Sequence, residues 1–549
     1  MISALILAAN VNTISAQYLS ELWKSSPMAA SQAGYHKDHV DEHLDDLSAE
    51  ARARRLGVLK DLSGQLPTAQ TGDAEADADV ALLQDAIRLE SLDLEEAHDF
   101  QKRCDKPLDD LGSAFFNMAV RDYAPLDERA SAAFSRLKEV PRYLQQAKAS
   151  LHFDVDVFAA AAKDDGEGLI DYLQHDLQLA FAKSKHATAL GSASAEAVKA
   201  VREYLGFIEN DLPKMPHADF RYGDALYRKR FRPYLQTDQD PSQVLAAAEK
   251  RLKELHVEMS GLAEKLIGKA DIRAALNKIA EEHPKAEALF DVVKAQLKEA
   301  RDFIEAKKLM TLRNQDNLQV IETPPFLRAM LGVAAFDGAP PYQPELGAFY
   351  YVTPIPKDWP AAKVESKLRE YNRYGLELLT IHEAMPGHYV QFERANQVQP
   401  EVRRVLRWVL SATSYVEGWA VYTQDLMVDA GYLGADNAKL KLQARKLELR
   451  AVANTILDIK LQTQKMSDEE ALRLMMDETF QERPEAEAKL RRAKLSVTQL
   501  CSYFVGGETW RAIRRQAEKR RGFTLKSFHD RVLSEGAMTL RSLSRVVGN

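Results

Sequence analysis

Along most of the chain, apolar residues recur at three- and four-residue spacing. VLAAAEKRLKELHVEMSGLAEKLI (244–267) and ALFDVVKAQLKEARDFIEAKKL (288–309) are clear cases, with charges on the opposite face. This is the period of amphipathic helices. Strand-like alternation is scarce; LGAFYYVTPIP (346–356), aromatic, β-branched and closed by prolines, is its clearest instance. SGQLPTAQTGDAEADADV (63–80) reads as a loop leading into a helix, and PPYQPELG (340–347) as the connection before the strand. The pattern predicts a mainly α protein with a small sheet. It divides softly into an N-terminal helical part, residues 1–325, and a C-terminal part, residues 326–549, which holds every chemical motif. The two are free to form one continuous body around a cleft.

Composition narrows the function classes. The chain has 549 residues, 46% of them hydrophobic, enough for a large core or several structural units. A net charge of -7 argues against a general nucleic-acid partner. Basic runs such as RRAKL (491–495) alternate with acidic and apolar residues and read as solvated helix faces. The only cysteines, Cys104 and Cys501, exclude a disulfide framework and a cysteine-rich zinc module, and both read as core residues. No run approaches the ~20 apolar residues of a membrane span. The start, MISALILAANVNTISAQ, has a short apolar core at residues 2–9 with no basic residue before it. It reads as a clipped export signal in preference to the first turn of a helix, which favours an exported protein over a cytoplasmic one.

The chemistry concentrates in HEAMPGH, residues 382–388. In H-E-x-x-H, two imidazoles one turn apart share a zinc ion. Here His388 follows His382 by six residues, which on a regular helix leaves the rings roughly 120° apart. Pro386 breaks the helix, because its ring clashes with the carbonyl of His382, and Gly387 supplies the freedom to re-enter it. A two-residue bulge at this point would bring His388 to the position the fourth residue normally holds. A lone histidine behind Leu378 and Leu379 is most often a satisfied core residue. Two histidines and a carboxylate at one helix distortion favour metal ligation, because buried polar groups are costly unless bonded.

A third ligand is expected from RRVLRWVLSATSYVEGWAVYTQDLMVDAGY (403–432), read as one returning helix. Glu417 lies inside its apolar stripe, where a carboxylate must be paired or ligating. A salt bridge to arginine is the plain alternative. Small Gly418 and Ala420 permit close helix approach. Two histidines and one glutamate leave a fourth position for water, with Glu383 as general base. Tyr503 and Gln499, just before Gly506 and Gly507, are candidate donors to a developing oxyanion. Strand residues 347–353, if an open edge, could pair with an extended peptide. Arg511, Arg514 and Arg515 could hold a substrate carboxylate or be surface charges.

HEAMPGHYVQ, EGWAVYTQ, SYFVGGETW and FTLKSFHDRVLSEGAMTLRSL (523–543) resemble the bacterial family catalogued as domain of unknown function 885. FDGAPPYQPELGAFYYVTPIP, SSPMAASQAGYH (25–36) and DFRYGDALYRKRF (219–231) extend the likeness over most of the chain. The resemblance implies a large helical zincin-like fold of the gluzincin type, with a deep cleft and a small sheet near the metal. It implies His382, His388 and Glu417 as Zn2+ ligands, Glu383 as base and Tyr503 as transition-state donor. Two departures stand out: Thr353 where the family usually has asparagine, and Tyr389 where many members have a second histidine. The expectation is a zinc metallopeptidase on short peptides, carboxypeptidase or oligopeptidase. The rivals are a metal-dependent amidase on small non-peptide amides and a helical protein that binds metal or peptide without turnover.

Overall fold

Asp240 and Gln243 close a capping box around Pro241, and the helix they start, Pro241–Ile267, runs until Gly268 turns left-handed at φ +73°. A side-chain acceptor before the first turn, proline in it and glycine after the last are the signals that bound a helix. The second long periodic stretch folds as Leu289–Lys307. The polar stretch at 63–80 narrows to a short loop, because Ala49–Gln65 runs on and Asp73 caps Ala74–Leu92. The computed structural model describes residues 2–313, 317–323, 328 and 334–548, which are mainly helical with one three-stranded sheet among them. No helix among them is long and apolar enough to cross a membrane.

The chain forms two compact units. One comprises Met1–Tyr222, Pro340–Leu346 and Pro400–Val409; the other comprises Gly223–Ala339, Gly347–Gln399 and Leu410–Asn549. The first unit's continuous N-terminal stretch runs to Tyr222, and the expected boundary at 325 lies outside the described residues. Its opening helix, Ile2–Ser25, buries Val11, Ile14, Tyr18 and Trp23. It also takes in the late helix Glu401–Val409, where Arg403 and Arg407 each place Nε 2.7 Å from the buried Asp79 carboxylate. Desolvation offsets much of the attraction in such a pair, but losing one partner strands a buried charge, so the contact fixes where the segment goes. Cys104 and Cys501 are both buried free thiols, and burial pushes both thiol pKa values up.

In the second unit, β1 (Leu318–Glu322), β2 (Ala334–Asp337) and β3 (Ala348–Val352) form a sheet in the order β1-β3-β2. β1 runs parallel and β2 antiparallel to β3, with Val320 and Phe336 both opposite Tyr350. The aromatic stretch, for which an open edge is one of two readings, is therefore the central strand. Ala348, Tyr350, Tyr351 and Val352 are all buried, which suits a strand paired on both sides. Thr353 closes it by sharing a hydrogen bond with Thr323.

The helices that carry the motifs are α1 (Arg373–Glu383), α2 (His388–Ala395), α3 (Thr413–Asp429), α4 (Ala438–Gln464), α5 (Arg483–Leu495), α6 (Ser502–Ala517) and α7 (Leu525–Ser534). The expected single helix over 403–432 is interrupted: Ala412 is extended at φ -69°, ψ 139°, and α3 begins after it.

Behind α3 lies a buried cluster of Trp419, Tyr422, Trp510 and His529. His529 Nδ1 is 2.7 Å from the Leu309 carbonyl, so it must donate, and Nε2 then accepts from the Tyr422 hydroxyl at 2.6 Å. Both bonds are satisfied only by neutral imidazole. Burial brings its pKa down to about 4, with the Leu309 bond opposing and the Arg514 charge assisting. As pH falls below the ordinary ~6.5, the unfolded chain takes up this proton and the folded one does not. Stability present above pH ~6.5 is therefore lost towards pH 4, by roughly 3 kcal/mol at ~1.4 kcal/mol per pKa unit. Melting curves across that range should show His529→Gln less stable at pH 7.5 but with a shallower acid slope. A slope equal to the parent's rejects this assignment.

Candidate metal centre

The HEAMPGH segment does not continue a helix through a bulge. α1 ends at Glu383, and α2 starts afresh at His388. Between them the backbone folds back onto the last turn of α1. Ala384 and Met385 N–H groups reach the Thr380 carbonyl at 2.9 and 3.1 Å, and the Gly387 N–H reaches Ile381 at 2.9 Å. A Cβ on Gly387 would lie 1.8 Å from the His382 carbonyl oxygen, so only glycine fits. The turn leaves the carbonyls of Pro386 and Gly387 facing α3, where the Trp419 indole N–H meets them at 2.9 and 3.1 Å.

This break brings the two imidazoles together. The rings of His382 and His388 lie 4.8 Å apart and nearly perpendicular, at 86°. Their Nε2 atoms converge on one oxygen, Glu417 Oε2, at 3.3 and 3.6 Å. The three ligand-type atoms all fall within 4.8 Å of one another. A charge-assisted hydrogen bond from imidazole to carboxylate closes to ~2.7–2.9 Å. Two tetrahedral ligands, each ~2.0–2.1 Å from a zinc ion, stand ~3.3 Å apart. The two contacts are long for a hydrogen bond, and the donor set and its spacing fit a zinc ion. His388 Nδ1 is buried with no hydrogen-bond partner among the described residues.

Electrostatics separate the two glutamates. Burial acts to raise the Glu417 pKa, but the His382 and His388 bonds and charges outweigh it and hold the carboxyl well below the usual range, as suits a ligand. Burial pushes Glu383 up to about 7, with His382 opposing, Glu417 adding repulsion and the Phe336 N–H opposing. That N–H donates to Glu383 Oε2 at 3.2 Å, so the strand beside the base is β2, an edge strand. A carboxylate poised near neutrality is suited to taking and releasing a proton.

α3 and α6 touch at glycine. A Cβ on Gly418 would lie 2.5 Å from the Gly506 backbone, and one on Gly506 would lie 2.1 Å from the Ser414 carbonyl oxygen. Glu417 sits one residue before this contact and Tyr503 one turn before it, which brings both towards the same region. Burial pushes Tyr503 up to about 12, the Glu417 charge adding to it. Arg492 of α5 donates to the Tyr503 hydroxyl at 3.4 Å and to Gln499 Oε1 at 3.3 Å. Tyr503 and Gln499 thus come together as the spacing implies.

Other candidates fall away from this chemistry. Arg511 is paired with Asp425 and Glu508, and Arg514 with Glu518. With Arg515 they line a polar cavity of about 440 Å³ that is rich in carboxylates. Tyr389, in place of the second histidine, bonds Asn317 at 3.2 Å. Spacing misses Trp419, the Phe336 N–H and Arg492. The tryptophan lies within EGWA, but nothing in the motif indicates what its N–H must reach.

A family model described as bacterial protein of unknown function (DUF885) matches residues 27–547. No curated protein matches the chain. A solved candidate lipoprotein of unknown function from Shewanella oneidensis is similar with a TM-score of 0.82 and 27% identity, over 98% of this chain and 99% of that one. A candidate lipoprotein from Colwellia psychrerythraea shares the fold with a TM-score of 0.80 and 17% identity, over 99% of this chain and 98% of that one.

The glycine contact should be indispensable to the site. Gly506→Ala is expected to lower stability by about 1–3 kcal/mol through overpacking and, if the site takes up zinc, to reduce that uptake by displacing Glu417. Gly261→Ala, in the helix Pro241–Ile267 with open space around it, should gain about 0.4–1 kcal/mol. Urea midpoints together with zinc content measure both.

Proposed function

The chain belongs to the DUF885 family of bacterial proteins of unknown function, and from its own site we propose that it is a zinc-dependent hydrolase, a zincin-like metallopeptidase acting on short peptides. The observation that carries this reading is the convergence of two imidazole Nε2 atoms on Glu417 Oε2 at separations that zinc co-ligands would have. His382, His388 and Glu417 would hold the ion, leaving one position open, as in hydrolytic rather than structural sites. When bound, zinc supplies a Lewis acid that polarises the scissile carbonyl and makes water acidic enough to attack at neutral pH.

The chain's own groups then divide the work. Glu383 accepts the proton of the attacking water and passes it to the leaving amine, for which a pKa near neutrality is apt. Tyr503, whose oxygen already accepts from Arg492, keeps its own O–H to donate to the developing oxyanion. β2, an edge strand of the sheet among the described residues, lies next to the base, where an extended peptide could pair with it. The two structural neighbours are described as candidate lipoproteins. By that likeness we assign this protein an exported location too.

Metal analysis of the purified chain should give about one zinc per protein, and His388→Ala should lose it. Glu383→Gln should keep the metal and lose about 10²–10⁴ of peptide turnover. Unchanged turnover in that variant sinks the general-base role. Parallel assays on short peptides and on acylated amino acids separate a peptidase from an amidase.

A further inference from the structure

Arg511 and Arg514, singled out by sequence as carboxylate binders, are neutralised, but two other cations are not. Helix α5 presents Glu485, Lys489 and Arg492 at positions i, i+4 and i+7, one face of the helix. Glu485 is taken by Arg450 at 2.9 Å, and Arg450 also holds Glu370 at 2.6 Å. Lys446 sits 3.6 Å from the second oxygen of Glu370. The carboxylates in reach of this face are thereby committed. Glu417, whose charge acts on Tyr503, is itself engaged by His382 and His388.

Arg492 is left with two neutral partners, Gln499 and the Tyr503 hydroxyl. Lys489, one turn before it, makes no hydrogen bond or ion pair among the described residues. Burial, together with the nearby charge of Arg450, brings the Lys489 pKa down to about 8. Lys489 is a largely desolvated cation with no direct ion pair among the described residues, and Arg492, exposed, keeps guanidinium donors available for an incoming anion. A guanidinium presents the fork that carboxylates match best.

The position of this charge defines which anion. Arg492 Nη2 lies 3.4 Å from the Tyr503 hydroxyl, the group assigned to the scissile carbonyl. One residue of extended chain spans ~3.3–3.6 Å. A group one residue beyond the scissile bond is therefore within reach of Arg492. In a chain cut internally that group is a neutral amide; in a chain cut at its last bond it is the terminal carboxylate. We propose that Arg492 and Lys489 form the subsite for the α-carboxylate of the last residue of a peptide, so that the protein is a carboxypeptidase. This rests on the hydrolase reading and adds the polarity of its substrate.

The test measures binding separately from turnover. Acetylated tripeptides with varied last residues, each as free acid and as C-terminal amide, are titrated calorimetrically into zinc-loaded Glu383→Gln protein. A charge-assisted contact predicts that the acids bind about 10- to 100-fold more tightly than their amides. Adding Arg492→Ala should abolish the preference, Arg492→Lys should retain part of it, and Lys489→Gln should reduce it. Equal affinities throughout the panel, or a preference that survives Arg492→Ala, overturn the subsite. If the preference holds while zinc-loaded parent protein cleaves neither form, the hydrolase reading fails and the carboxylate site stands.

Discussion

Everything at the centre depends on how one indole N–H is used. A proline-glycine turn that interrupts a buried helix exposes main-chain carbonyls where no water is at hand, and unpaired buried carbonyls are costly. Trp419 satisfies two of them, at Pro386 and Gly387, from the helix that also carries Glu417. One helix thus both holds the turn that swings His388 towards His382 and delivers the carboxylate between them. The position of the second imidazole and that of the third donor are not independent.

Around this, packing and polarity serve the same geometry at different depths. The glycine contact between α3 and α6 removes side-chain bulk where Glu417 and Tyr503 must approach. Behind it, the Trp419–Trp510–His529 cluster keeps α3 from rotating, with a histidine whose two bonds admit a single protonation state. In front, β2 fixes the Glu383 oxygen through a main-chain donor. A site held by backbone groups and buried aromatics is preorganised, which electrostatic catalysis requires.

Much of this was legible in the residues. Period and caps place the long helices, and His382, His388 and Glu417 meet as their motif implies. Where sequence misleads, the cause is local. Continuous apolar periodicity across 403–432 conceals the break at Ala412, because the segment before it is drawn to Asp79 by arginines that look like ordinary surface charge. Whether the aromatic strand is an edge or central stays open in sequence, because alternation reports exposure, not which neighbours pair with it. Trp419 is two residues from Glu417, about 200° around the helix, so no spacing rule links it to the ligand set. The proposed role of Arg492 depends on which nearby acids are already committed, and that is a property of the fold.

The assignment of Pro400–Val409 to the first unit has a thermodynamic corollary. The connection from the helix of His388 to that of Glu417 passes through Pro400–Val409, which Arg403 and Arg407 pin to Asp79. Closing a loop costs entropy that grows with the length of unrestrained chain. With that middle stretch held, only the short links on either side of it remain to be ordered, so part of the entropy of bringing Glu417 to the two imidazoles is already spent.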